Sequence, residues 1–74
     1  MPAKEVKSSV LFLNGEPVPC ERDKTLGAYL DEAGFPLDRI AVECNGTIVP
    51  RSERATRVPH EGDRIEIVQF MGGG

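Results

Sequence analysis

Two Asn-Gly pairs, Asn14-Gly15 and Asn45-Gly46, constrain the fold of this chain more than any other feature. A two-residue hairpin loop of type I′ needs φ > 0 at both central positions, and Asn followed by Gly tolerates that best. Each pair follows an apolar, β-prone run: Val10-Leu11-Phe12-Leu13 before the first, Ile40-Ala41-Val42-Glu43-Cys44 before the second. Two hairpins within 74 residues leave room for one small domain over 1–74, and no linker or repeat divides it.

The first strand is expected over Val6 to Leu13. Its four successive apolar residues fit a strand covered on both faces and therefore central. Glu16 to Cys20 returns from the turn. Pro17 and Pro19 have no N–H for a ladder, which puts this strand at an edge. Thr25 has the side chain of a helix N-cap. Leu26, Tyr29, Leu30 and Ala33 then recur at the spacing of one helical face, with Asp31 and Glu32 on the other. Gly34 suits the left-handed position past a helix end, Phe35 the apolar contact that goes with it, and Pro36 bars continuation. The helix is expected over 25–33. Gly27 inside it costs about 1 kcal/mol relative to Ala unless a neighbour packs closely there.

Ile40 to Cys44 alternates, with Ile40, Val42 and Cys44 on one face. Ile48-Val49-Pro50 is the expected return strand, ended by the proline. The stretch from Arg51 to Arg57 reads as polar and irregular, with room for a turn of helix. His60-Glu61-Gly62-Asp63 is a tight turn into a last strand from Arg64 to Phe70. Ile65 and Ile67 share one of its faces, Val68 and Phe70 the other, which again indicates a central position. Hairpin, helix, hairpin and a final central strand beside the first make an α+β fold. It has a mixed sheet and one main packing helix, which is the β-grasp, ubiquitin-like arrangement.

Several functions are disfavoured. A chain this short buries only about 60% of its unfolded surface and lacks the bulk to enclose a deep substrate pocket, which speaks against an independent enzyme. A net charge of −3 is unlike that of a nucleic-acid binder. Arg51, Arg54 and Arg57, interrupted by Glu53, read as a solvated loop. No apolar run approaches the roughly 20 residues of a membrane span, and none follows Met1-Pro2-Ala3-Lys4-Glu5 as a signal segment would. The expected compartment is the cytosol. Cys20, Cys44 and His60 fall short of a four-ligand zinc site or an iron–sulfur cluster, so no bound metal or cofactor is expected. Both cysteines read as small apolar fillers on strands, unpaired in a reducing compartment. Ser8, Ser9 and Ser52 lack a nucleophile elbow. No phosphate-binding glycine motif is present, and His60 reads as an exposed turn residue.

What remains is the end of the sequence, where Phe70-Met71 gives way to Gly72-Gly73-Gly74. A frayed end or linker remnant is the competing reading. The apolar strand directly before the glycines, without the Ser or Thr of a flexible linker, speaks against it. A tail over 71–74 is expected to be flexible and thin, presenting the Gly74 carboxylate as its reactive group. A carboxylate resists nucleophiles at neutral pH until it is activated, usually as an acyl-adenylate made from ATP. Nothing in this chain would bind ATP, so a partner enzyme must supply that step. A narrow tail suits insertion into the partner's active site.

Asn45-Gly46-Thr47-Ile48-Val49-Pro50-Arg51-Ser52, then Glu61-Gly62-Asp63-Arg64-Ile65-Glu66-Ile67-Val68, then the terminal Gly73-Gly74 resemble the sulfur carrier proteins of thiamine biosynthesis, the ThiS family. Leu13-Asn14-Gly15-Glu16 does so too, and the resemblance covers nearly the whole chain. It implies a β-grasp fold and a carrier that is not itself an enzyme. A ThiF-like adenylyltransferase would adenylate Gly74 with ATP and magnesium. A persulfide from a cysteine desulfurase would convert it to a thiocarboxylate. A ThiG-like thiazole synthase would accept the sulfur. Phe70, Met71, Gly72 and Gly73 would line the approach to the partner's tunnel, and the free protein would be a monomer. Three features depart from the family pattern: Arg54, where many relatives carry an aromatic residue; the third terminal glycine; and the extension through Ser8. Other outcomes remain open: sulfur delivery to the molybdenum cofactor or a tRNA base, a ubiquitin-like modifier joining Gly74 to a lysine, or an interaction module with an incidental tail.

Overall fold

The computed structural model of the chain describes residues 9–70. β1 (Val10–Leu13) and β2 (Glu16–Pro19) form an antiparallel hairpin closed by the Leu13–Glu16 pair. Asn14 and Gly15 take φ of 49° and 87° in its turn, the left-handed pair that the sequence requires. β3 (Ile40–Cys44) and β4 (Thr47–Ile48) form the second hairpin, with φ of 53° and 87° at Asn45 and Gly46. β5 (Arg64–Gln69) lies between them, parallel to β1 and antiparallel to β3. The sheet order is β2-β1-β5-β3-β4. The proline-bearing strand is at an edge, and the first and last strands adjoin at the centre, as the sequence pattern predicts. The mixed sheet with one helix is a β-grasp fold.

The helix α1 (Leu26–Glu32) is capped at both ends by the residues that the sequence marks. The Thr25 hydroxyl accepts from the Ala28 N–H at 3.2 Å. At the other end the Gly34 N–H donates to Asp31 and the Phe35 N–H to Leu30, with Gly34 at φ +87°. That pair of bonds is the Schellman motif, and Phe35 folds back against the core. Leu26, Tyr29 and Leu30 face the sheet and bury Leu11, Leu13, Ile40, Val42, Cys44, Val49, Ile65 and Ile67 beneath them.

The structure corrects several boundaries. β1 begins at Val10, inside the expected Val6–Leu13 run; Ser9 precedes the strand, and Val6 to Ser8 lie outside the described part. β2 stops at Pro19, so Cys20 follows the strand, half-buried, while Cys44 is a buried filler on β3. β4 is Thr47–Ile48, not Ile48–Pro50. A two-residue turn pairs Cys44 with Thr47, and Val49 then turns inward to 2% exposure. A 3-10 turn over Leu37–Arg39 precedes β3, which sequence periodicity does not reveal. The largest correction concerns cover. Central strands carry apolar residues on both faces here, yet among the described residues only the α1 face is closed, because one seven-residue helix makes only one layer.

Candidate functional site

The expected site comprises Phe70, Met71, Gly72, Gly73 and Gly74. Phe70 falls within the described residues; Met71 to Gly74 lie outside them. The geometry that bears on the site is therefore that of its root, where the chain leaves β5. The Phe70 side chain is exposed, and its N–H donates to the Arg39 carbonyl at 2.8 Å. That bond extends the β3–β5 pairing, which ends at Ile40–Gln69, by one step.

On the other side β1 runs out before β5 does. The last β1–β5 pair is Leu13–Ile65, which leaves the Ile67 backbone facing an empty lane. Asn14 fills it with its side chain: Oδ1 accepts from the Ile67 N–H at 2.7 Å, and Nδ2 donates to the Ile67 carbonyl at 3.3 Å. The primary amide thus replaces a strand residue and spares β5 the cost of unpaired buried backbone. Asn45 does a related job at the start of β5, where its Oδ1 accepts from the Arg64 N–H at 2.9 Å. Both asparagines are legible in the sequence as turn formers. Their second role depends on which strand lies alongside, which local sequence does not carry.

Asp63 completes the entry to β5. Its carboxylate accepts from the His60 N–H at 2.9 Å and from Asn45 Nδ2 at 3.0 Å. Burial pushes Asp63 up, but several lowering contacts, led by the His60 N–H and the Asn45 amide, outweigh it and hold the carboxyl below its usual range. Burial, then the Asp63 charge, pushes the Cys44 thiol up, which leaves it protonated and unreactive. His60 is exposed, as the sequence predicts.

Arg54 overturns the solvated-loop reading. It is 9% exposed, and its guanidinium donates to the Leu37 and Ile40 carbonyls, each at 2.9 Å. The Ile40 carbonyl lies on the outer edge of β3, two residues from Val42, whose carbonyl takes the Val49 N–H. β4 is too short to reach it, and Arg54 supplies the missing donor. Burial, then the Arg51 charge, lowers the pKa of Arg54, yet a guanidinium remains protonated in proteins. The Arg54 main chain is engaged as well: its carbonyl accepts from the Gly27 N–H at 2.8 Å. A Cβ at Gly27 would sit 3.2 Å from that oxygen, so close packing accounts for the glycine inside α1.

The open face of the sheet leads to the same root. Ile48, Val68 and Phe70 are 67%, 59% and 56% exposed. The register puts Ile48 opposite Glu43 and Val68 opposite Ala41, so Ile48 and Val68 share this face, with Phe70 two residues further along. Glu43, Glu66 and Arg64 alternate among them. Among the described residues, an open cleft of about 350 Å³ lies beside Cys20 and His60. Among the described residues no group of three or more His, Cys, Asp or Glu is placed to hold a metal. No helix there is long and apolar enough to cross a membrane.

Comparison with known proteins gives concordant results. The family model described as the ThiS family matches residues 11–74. The chain is 40% identical over 65 residues to the sulfur carrier protein ThiS of Thermus thermophilus, covering 88% of this chain and 100% of that one. It is 42% identical over 64 residues to a thiazole synthase of Magnetococcus marinus, a match that takes in 86% of this chain. The chain spans only 20% of the length of that thiazole synthase. Among solved structures it resembles a thiamine biosynthesis protein, ThiS, from Geobacter metallireducens, with a TM-score of 0.69 at 26% identity. That superposition covers 88% of this chain and 99% of the other.

Proposed function

The chain belongs to the ThiS family, and from that premise we propose that it is a sulfur carrier of thiamine biosynthesis, carrying the sulfur as a thiocarboxylate on Gly74. The observation that carries this reading is the match to a ThiS sulfur carrier along that protein's entire length, together with a family match that extends to residue 74. The described fold suits a carried co-substrate better than a catalyst, because its clefts are open and shallow.

The chemistry runs in three balanced steps. A carboxylate oxygen of Gly74 attacks the α-phosphorus of ATP, held with magnesium by a ThiF-like adenylyltransferase, and pyrophosphate leaves. A persulfide sulfur derived from a cysteine desulfurase attacks the acyl carbon and expels AMP. The product is an acyl disulfide that retains the persulfide's S–S bond; a thiol attacks the sulfur remote from the acyl group, forming a disulfide with it and releasing the thiocarboxylate. The acceptor is a ThiG-like thiazole synthase. Two thiazole synthases carry a region similar to this chain within a much longer polypeptide, an arrangement that favours a working partnership between the two modules.

In this scheme the folded body does two things. It presents Ile48, Val68 and Phe70 as an apolar face that the adenylyltransferase covers. It also holds the start of the tail at the centre of the sheet, so a docked body and an inserted tail occur together. Complementation tests the reading. In cells lacking their own thiazole sulfur carrier, the full chain should restore growth without thiazole, and the chain lacking Gly74 should not. Equal growth from the truncated chain would contradict it.

A further inference from the structure

The structure assigns Arg54 a positioning role: its guanidinium fixes the point at which the chain leaves the sheet for its C-terminal segment. The inference rests on the carrier reading for its functional consequence but not for its geometry. Three observations join. First, Arg54 is nearly withdrawn from solvent, at 9% exposure, although burying a guanidinium is costly unless its donors are engaged. Second, those donors grip two carbonyls at the ends of one short segment, Leu37 and Ile40, each at 2.9 Å. Third, the residue between them in the 3-10 turn, Arg39, gives its carbonyl to the Phe70 N–H at 2.8 Å.

The segment from Leu37 to Ile40 is thus a bracket. One side is held by Arg54, and the other holds Phe70. Its C-terminal end is also held by Ile40, which is buried in the core and pairs with Gln69, and the Arg39 N–H bonds the Pro36 carbonyl, but the turn over Leu37–Arg39 has no buried anchor of its own. Its N-cap residue, Pro36, makes no side-chain capping bond, and none of its turn residues is buried. A 3-10 turn of three residues is weak by itself. Without the guanidinium, the Ile40 carbonyl at the outer edge of β3 loses its donor and the turn loses its clamp. Arg54 is also set by its own backbone, since its carbonyl accepts from Gly27 in the first turn of α1. The helix, the clamp and the exit of β5 are therefore one mechanical chain. Phe70 is the last described residue, and Gly74, the reactive group of the carrier reading, lies four residues beyond it. A shift at Phe70 moves the origin from which a partner must receive Gly74.

Among the described residues Nε of Arg54 has no hydrogen-bond partner, and the clamp is made by the two terminal nitrogens. A lysine, with a single nitrogen head, can reach one carbonyl but cannot span both in the guanidinium fork. Graded behaviour is therefore expected, with Arg54→Lys between wild type and Arg54→Met.

The test is amide hydrogen exchange measured residue by residue on wild type, Arg54→Lys and Arg54→Met. The Phe12 and Asn14 amides serve as internal references, because they donate to Asp63 and Ile65 in the β1–β5 ladder at 2.9 and 2.8 Å, away from the turn. Val49→Ala, a buried-residue variant outside the bracket, reports what general destabilisation does. In Arg54→Met the Phe70 amide should exchange at least about tenfold faster relative to Phe12 and Asn14. Arg54→Lys should show a smaller change, and Val49→Ala should raise all three amides together. With the activating enzyme, Arg54→Met should lower kcat for thiocarboxylate formation more than it raises KM, since Ile48 and Val68 of the docking face are untouched while the origin of the C-terminal segment at Phe70 shifts. Phe70 protection that tracks the reference amides in every variant would overturn the inference. Absence of turnover by wild type would instead count against the carrier reading and leave the exchange result standing as the test of the clamp.

Discussion

Along β5, Ile65 and Ile67 are 0% and 7% exposed, whereas Val68 and Phe70 are 59% and 56% exposed. The two pairs are similar in hydrophobicity and belong to one short stretch. They differ in what opposes them. Ile65 and Ile67 meet Leu26, Tyr29 and Leu30 of α1 within one core cluster. Val68 and Phe70 meet no second layer among the described residues. Fully burying such a side chain is worth about 1.5–3 kcal/mol, so the closed face contributes most of the stability. The open face keeps apolar surface available where the C-terminal segment begins. An apolar residue in a central strand therefore reports the strand's neighbours in the sheet, and says less about how many layers cover it.

Substitutions can break or sharpen that contrast. The largest effect is expected from Ile65→Lys, which buries an unpaired charge in a small, marginally stable domain. Thermal unfolding should lose its cooperative transition, and an unchanged melting temperature would refute the closed face as the stabilising one. Asp63→Asn tests how firmly the start of β5 is anchored. It should cost about 1–2 kcal/mol at neutral pH, read by urea unfolding. Folding holds the Asp63 carboxyl below its ordinary range. Its contribution is then complete at neutral pH and fades as the pH falls below about 4, through the lowered value. The Asn variant should lose less stability over that acid range than wild type. A parallel acid decline in both proteins would show that Asp63 adds nothing there.

Gly27→Ala probes how tightly the covering layer is seated. Helix propensity alone favours Ala by about 1 kcal/mol, but the new Cβ would crowd the Arg54 carbonyl at 3.2 Å. Stability should stay level or fall by up to about 1 kcal/mol. A clear rise in melting temperature would mean that the close approach relaxes freely. The smallest effect on stability is expected from Val68→Lys, within about 0.5 kcal/mol of wild type. The same variant should slow partner-dependent modification of Gly74. Unfolding by Val68→Lys would erase the difference between the two faces.

The elements set by local chemistry are legible from the residues alone. Asn14-Gly15 and Asn45-Gly46 specify their turns, Thr25 and Gly34 specify the helix ends, and Pro17 and Pro19 specify an edge. What escapes is set at a distance. Arg54 looks solvated beside Arg51 and Arg57, because nothing local shows that the Ile40 carbonyl lacks a strand partner. The amide of Asn14 bonds Ile67, 53 positions away. The 3-10 turn over Leu37–Arg39 has no periodicity to betray it. Of the expected site, Phe70 is placed at the exit of β5, and Met71, Gly72, Gly73 and Gly74 lie outside the described residues. Their roles rest on the chemistry of a terminal carboxylate and on the family.

The most direct measurement is the intact mass of the protein after incubation with ATP, magnesium, a persulfide donor and a ThiF-like adenylyltransferase, followed by fragmentation to locate the change. Replacement of one oxygen by one sulfur at Gly74, dependent on ATP, is the expected result. Oxidation of Met71 or a cysteine adds nearly the same mass, so the location and the ATP requirement decide. An unchanged Gly74 under conditions in which the enzyme modifies a known ThiS carrier would contradict the carrier function.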